Sequence, residues 1–171
     1  MKKLLIVFAL AFLSTGLVSA QKFGYVDTDK ILGAMDEYQA AQTEIEQQSQ
    51  RWQQELETMH QNVETLYKNY QAEKVLLADD IRRQREEEIM EAERQAKEFK
   101  KAKFGYEGEL YKLQDDKIRP IQDRVFQAVE EVAKERRLNF ILDKASNSGI
   151  LYSDAAFDRT DDVMIKLGLK K

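Results

Sequence analysis

Cysteine is absent from the 171 residues, so the chain can carry neither a disulfide nor a lipid-modified cysteine, and its stability must come from packing. Histidine occurs once. His60 lies beside the apolar Met59 on a charged helical stretch and reads as a solvated side chain. No nucleophile elbow, phosphate loop, HExxH or EF-hand pattern is present. The many carboxylates, such as Glu86, Glu87 and Glu88, stand among alternating charges where solvation and ion pairing account for them. Pairs such as Glu64 with Lys68, Glu93 with Lys97 and Glu130 with Lys134 have the favourable spacing. The sequence therefore offers no catalytic residue, no cofactor site and no metal site, and an enzyme is not expected.

Positive charge is also short. The chain has 27 basic and 31 acidic residues, and setting aside Lys2 and Lys3 leaves a net charge of −6, which argues against nucleic-acid binding. Long apolar runs are confined to the first twenty residues. Lys2 and Lys3 form a positive start, Leu4 to Leu13 an apolar stretch, and Val18-Ser19-Ala20 a small-residue cleavage site. Ser14, Thr15 and Gly16 interrupt the apolar stretch before it reaches the roughly 20 residues of a membrane-spanning helix. Residues 1–20 are thus expected to be a secretory signal peptide cleaved after Ala20, with an uncleaved anchor as the alternative. The mature chain is expected to be exported.

Proline occurs once and glycine seven times, so long stretches contain nothing to stop a helix. Phe23 to Val26 reads as a strand. A helix is expected next, with Asp36 as N-cap, Gln39 completing a capping box, and Met35 and Ala40 forming a hydrophobic staple. Ile45, Trp52, Leu56, Met59, Val63, Leu66 and Tyr70 make one heptad seam. Ile89, Ala92, Ala96, Phe99, Tyr106, Leu110 and Leu113 make a second, with Lys103 at its one missing position. The seams match if the chain folds back near Asp79: Trp52 with Tyr106, Val63 with Ala96 and Tyr70 with Ile89 have residue numbers that add to 158 or 159. The turn is expected at Ala78-Asp79-Asp80, with an aspartate capping the returning helix. Each arm of roughly 40 residues would be about 60 Å long.

Pro120 marks a kink or break, after which Ile121, Val125, Val129 and Val132 carry a helix to about Arg137. Leu138 to Asp143 and Ile150 to Tyr152 read as strands around a turn at Ser146 to Gly149. Thr160 is expected to cap a short closing helix stopped by Gly168. About 75 residues with three short strands make a marginal core, and association through the strands is the simplest remedy. Its candidate residues are Phe23, Tyr25, Val26, Phe140, Ile141, Leu142, Ile150, Leu151 and Tyr152.

Some apolar and basic residues fall outside the seams. Phe104, Tyr111 and Ile118, spaced by sevens on a flank of the second arm, either pack against the base or a neighbour or line a binding cavity. Tyr67 on the first arm and Leu76 and Leu77 at the tip are further candidates. Arg82, Arg83 and Arg85 oppose the dipole of the returning helix, and serve either to attract acidic partners or anionic lipid or to pair with Glu86 and Glu87. Gly105 and Gly108 provide either close packing around Trp52 or flexibility.

The order of these segments resembles the Skp/OmpH family of periplasmic chaperones. The resemblance rests on Phe23-Gly24-Tyr25-Val26-Asp27, Glu37 to Gln42, Ile118-Arg119-Pro120-Ile121, Val129 to Ala133, and Phe140-Ile141-Leu142-Asp143. It implies a mainly α fold with a small β base, in which a long antiparallel coiled-coil hairpin, or tentacle, projects from a strand-containing trimerisation body. The body would comprise residues 21–43 and 120–171, and the hairpin residues 44–119 with a tip near 78–80. It further implies a homotrimer that captures unfolded outer-membrane proteins without ATP, in a cavity between tentacles, and prevents their aggregation. The best-known members are basic, whereas this chain is acidic. Attraction of acidic clients would therefore fall to local patches such as Arg82/Arg83/Arg85 and Lys97/Lys100/Lys101/Lys103. A coiled-coil spacer of the envelope without clients is the alternative reading.

Overall fold

A computed structural model describes residues 22–146 and 149–170. The expected signal peptide lies outside the described residues. The chain is mainly helical. Strand β1 (Phe23–Val26) leads into helix α1 (Thr28–Gly33), then α2 (Asp36–Glu73), α3 (Asp79–Phe104) and α4 (Glu109–Arg136). Strand β2 (Phe140–Asp143), a 3₁₀ turn (Ala155–Phe157) and helix α5 (Thr160–Lys166) complete it. These residues form two compact units: those through Ile31 with those from Phe126 onward, and Leu32–Val125.

In the second unit α2 and α3 form a long antiparallel hairpin. The heptads bury one stripe of each helix: Ile45, Tyr70, Ile89 and Ala96 are buried, and Trp52, Leu56, Met59, Val63 and Leu66 are half-buried. Two helices alone cannot enclose a seam, so between Ile45 and Tyr70 no residue of α2 is fully covered. Val63 and Ala96 line one groove, and Tyr70 and Ile89 another.

The helix ends depart from expectation. Neither Asp36 nor Asp79 is a cap. Each is the first helical residue, behind Met35 and Ala78, which make no side-chain cap bond. Their carboxylates serve the positive end of the helix dipole instead. Gln39 Nε2 donates to the Gly33 carbonyl at 2.6 Å rather than closing a capping box. The connection at the tip is residues 74–78, ahead of the expected turn.

The second arm is not one helix. It breaks at Gly105–Gly108, where Glu107 adopts φ 52° and Gly105 an extended ψ. A Cβ on Gly105 would collide with the Lys101 carbonyl, so this backbone path requires glycine there. The break also shifts the register. Touching pairs add to 155 or 156 where α3 meets α2, as in Tyr70–Glu86, Trp52–Phe104 and Trp52–Lys103. They add to 161 where α4 meets α2, in Glu44–Lys117 and Glu37–Arg124. The difference of five or six positions falls at the looped-out residues and is about one and a half helical turns. Pro120, by contrast, breaks nothing: α4 runs through it, and its exposed position lets water satisfy the carbonyl one turn back.

In the first unit β1 and β2 pair in parallel, with Phe23 opposite Phe140 and Tyr25 opposite Leu142. The far side of β1 is engaged by a bridge between Tyr25 and Asp158 and by the Arg159 N–H, which donates to the Tyr25 carbonyl at 2.8 Å. Tyr25, Val26, Ile31, Ala128, Val132, Val163 and Met164 are buried. Thr160 is 1% exposed, and its hydroxyl accepts the Asp27 N–H at 3.0 Å. It is therefore the first residue of α5 behind the cap Arg159, not the cap itself. Gly168, with φ 72°, ends α5 as expected.

Two strand expectations are corrected. Strand β2 begins at Phe140, because the Leu138 N–H is already given to the Ala133 carbonyl at the end of α4. Ile150–Tyr152 forms no strand, so among its described residues the unit has two strands rather than three. Asp143 explains where the chain leaves the sheet. Its carboxylate accepts from the Thr28 N–H, the Thr28 hydroxyl and the Ala145 N–H, which bends the backbone away from β2. Asn147 and Ser148 of the expected turn lie outside the described residues.

Candidate functional site

A cluster of side chains on the arm gathers around Trp52. The Phe104 ring meets the indole edge-on at 6.3 Å, and the Lys103 ammonium lies 5.0 Å from the Trp52 ring centre and 5.5 Å from that of Phe99. Lys103 also reaches across the break to Glu109 at 2.7 Å. Phe104, expected on the flank, thus occupies the seam. Tyr106, expected in the seam, is 96% exposed. The break exchanges their roles.

Tyr111 and Ile118 remain together. With Ile45 they line an open groove of about 440 Å³ whose rim carries Gln42, Gln114, Gln122 and the Asp115–Arg119 ion pair. Tyr67 is about half exposed, and Leu76 almost fully so, while Leu77 is half-buried. Val75 and Met90 are also exposed and were not singled out from the sequence. Val75 had a signal, since it extends the Leu76-Leu77 pair into an apolar run of three. Tyr106 had a weaker one in its two flanking glycines.

The tip arginines do not act as a group. Arg82 pairs with Asp79, and Arg85 with Glu88 at 2.8 Å. Arg83 has no ion-pair partner among the described residues. Glu86, expected to pair with them, instead accepts the Tyr70 hydroxyl. Along the helices the perturbed titrations have local causes: the Lys68 ammonium hydrogen-bonded to Glu64 holds that carboxyl below its usual range, and Lys134 does the same for Glu130. The Glu93–Lys97 pair does not form. His60 is exposed beside a groove with Val63, Ala96, Lys97 and Lys100. Among the described residues no cluster of three or more His, Cys, Asp or Glu could hold a metal ion.

A second apolar surface lies in the first unit. Phe23, Tyr25, Leu142, Ile150, Leu151, Tyr152 and Phe157 line a hollow of about 450 Å³. Phe23 stacks on Phe157 at 5.6 Å. Phe140 and Leu142 are half or more exposed, Tyr152 is mostly exposed, and Leu151 is entirely so. Strand β2 has no partner on its outer edge among the described residues. Both faces of a parallel sheet are ordinarily covered, so this surface is unusually bare.

No curated protein matches the chain significantly. Its fold is that of the crystal structure of an OmpH-like protein from Caulobacter crescentus CB15, described as a candidate outer membrane chaperone. The TM-score is 0.67 at 14% identity, with 87% of this chain and 85% of that one covered. The family model for OmpH-like outer membrane proteins matches residues 22–167. That match spans both units, and the chain belongs to the OmpH-like outer membrane protein family.

Proposed function

We propose that the protein is an ATP-independent holding chaperone of the periplasm, which keeps unfolded outer-membrane proteins from aggregating. Family membership supports the class of activity. The observation that carries the finer reading is the set of large apolar side chains left in solvent along the arm: Tyr67, Leu76, Tyr106 and Tyr111. Separate, shallow contacts suit a holdase, since many weak attachments prevent aggregation without fixing one client conformation. Ile118, Leu77 and the unpaired Arg83 would add to them, with Arg82 and Arg85 engaged in their own ion pairs. An anionic membrane surface is a further partner for Arg83 at the tip.

The working form would be a homotrimer joined through the bodies. The open edge of β2 and the bare Phe140, Leu142, Leu151 and Tyr152 support that reading, because further copies of the same surface would cover them. Ile141, Ile150, Phe23, Tyr25 and Val26 would stand behind this contact. Three hairpins around one cavity would then offer their flanks to a single client. The leader expected in residues 1–20 would deliver the chain to the periplasm.

The test is light-scattering suppression during dilution of an unfolded outer-membrane protein. Tyr67→Ser combined with Tyr111→Ser is expected to weaken suppression several-fold while the circular dichroism and the mass stay unchanged. A client-free spacer predicts that the unchanged protein gives no suppression at all.

A further inference from the structure

We infer that the break at Gly105–Gly108 is one of two states of the arm, in which Phe104 and Tyr106 exchange places against Trp52. Counted along a continuous helix, Phe99, Lys103, Tyr106, Leu110 and Leu113 alternate steps of four and three without a fault. The sequence therefore encodes a straight helix with Tyr106 in the seam. The structure holds the other arrangement, with Phe104 edge-on to Trp52 and Tyr106 in solvent.

Each state carries its own handicap. The straight helix contains two glycines in its interior, and the broken one holds Glu107 in the left-handed region. The broken state has its own tie as well. Lys103 and Glu109 are six positions apart, which on a continuous helix puts them on different faces, so their 2.7 Å bridge forms only when the helix is broken. Gly105 belongs to the same state, since any side chain there meets the Lys101 carbonyl. The register agrees. The constant of 158 or 159 that the heptads imply lies between the values on the two sides of the break. Straightening would let both helices settle there. The switch also changes what the arm shows to solvent: Tyr106 in one state, Phe104 beside Tyr111 and Ile118 in the other.

Trp52 is the only tryptophan, so 5-fluorotryptophan gives a single fluorine probe at the point of exchange. The fluorine spectrum of the folded protein is expected to report two populations, as two resonances or one averaged resonance. Tyr106→Ser should move it towards the broken state, and Glu109→Gln and the pair Gly105→Ala, Gly108→Ala towards the straight one. The change in population ratio expected for Tyr106→Ser is roughly two- to tenfold, the range one aromatic pair carries. Tyr106 touches nothing near Trp52 in the structure, so a static arm predicts no change. A Tyr106→Ser spectrum superimposable on that of the unchanged protein overturns the inference, whatever the glycine variants do. The readout needs no client and stands apart from the proposed function.

Discussion

The Tyr70 hydroxyl donates to Glu86 across the tip of the hairpin, from a side chain that is 6% exposed. The Glu86 carboxylate and the burial both push the phenol above its ordinary value. The folded state thus favours the protonated phenol. Its contribution is full below the unfolded value of about 10 and is lost as pH rises through the higher folded value. The melting temperatures of the unchanged protein and of Tyr70→Phe should therefore converge as pH climbs past about 10. A difference independent of pH would contradict this assignment. Ile31 is wholly buried, and Ile31→Ala should cost about 2–5 kcal/mol in a denaturant titration. Arg137 holds φ 52° just past α4, where glycine is the natural residue. Arg137→Gly should be neutral or slightly stabilising, and Arg137→Val should cost about 1–2 kcal/mol in the same titration.

At the scale of elements, periodicity made the hairpin legible: two matched seams and a return near Asp79 follow from apolar spacing, although the first helix ends at Glu73, ahead of the expected turn. Caps were less legible, because Asp36, Asp79 and Thr160 serve equally well one position further in, where dipole or tertiary bonds reward them. The break at Gly105–Gly108 was not legible at all from the heptads, whose phase runs straight through it. Two glycines at about 1 kcal/mol each in a helix interior were the only sign. That one break moved Phe104 into the seam and Tyr106 out, so the flank read from the sequence kept Tyr111 and Ile118 and lost one member. Ile150–Tyr152 misled for another reason. Its composition suits a strand, but the Asp143 carboxylate turns the chain away before a ladder can form. Replacing Asp143 by Ala removes the acceptor for two backbone N–H groups and the Thr28 hydroxyl. It should lower the melting temperature by several degrees, as about 1–3 kcal/mol would in a chain of this size.

For the whole molecule, the question is what covers the bare side of the small sheet and what the arms do. Among the described residues the first unit has two short strands and seven buried apolar side chains, which is thin support for a chain of this length, and the apolar surface around Leu142 and Leu151 is the place where copies would join. If the proposed trimer joins there, Leu142→Lys should lower the mass to that of a monomer and abolish the proposed holdase activity with it. Under the proposed function the assembled protein holds an unfolded outer-membrane client in solution. Analytical ultracentrifugation of a mixture with such a client tests this directly: a soluble complex of three chains with one client, formed without ATP, is expected. A client that sediments as aggregate at the same rate with and without the protein would contradict it.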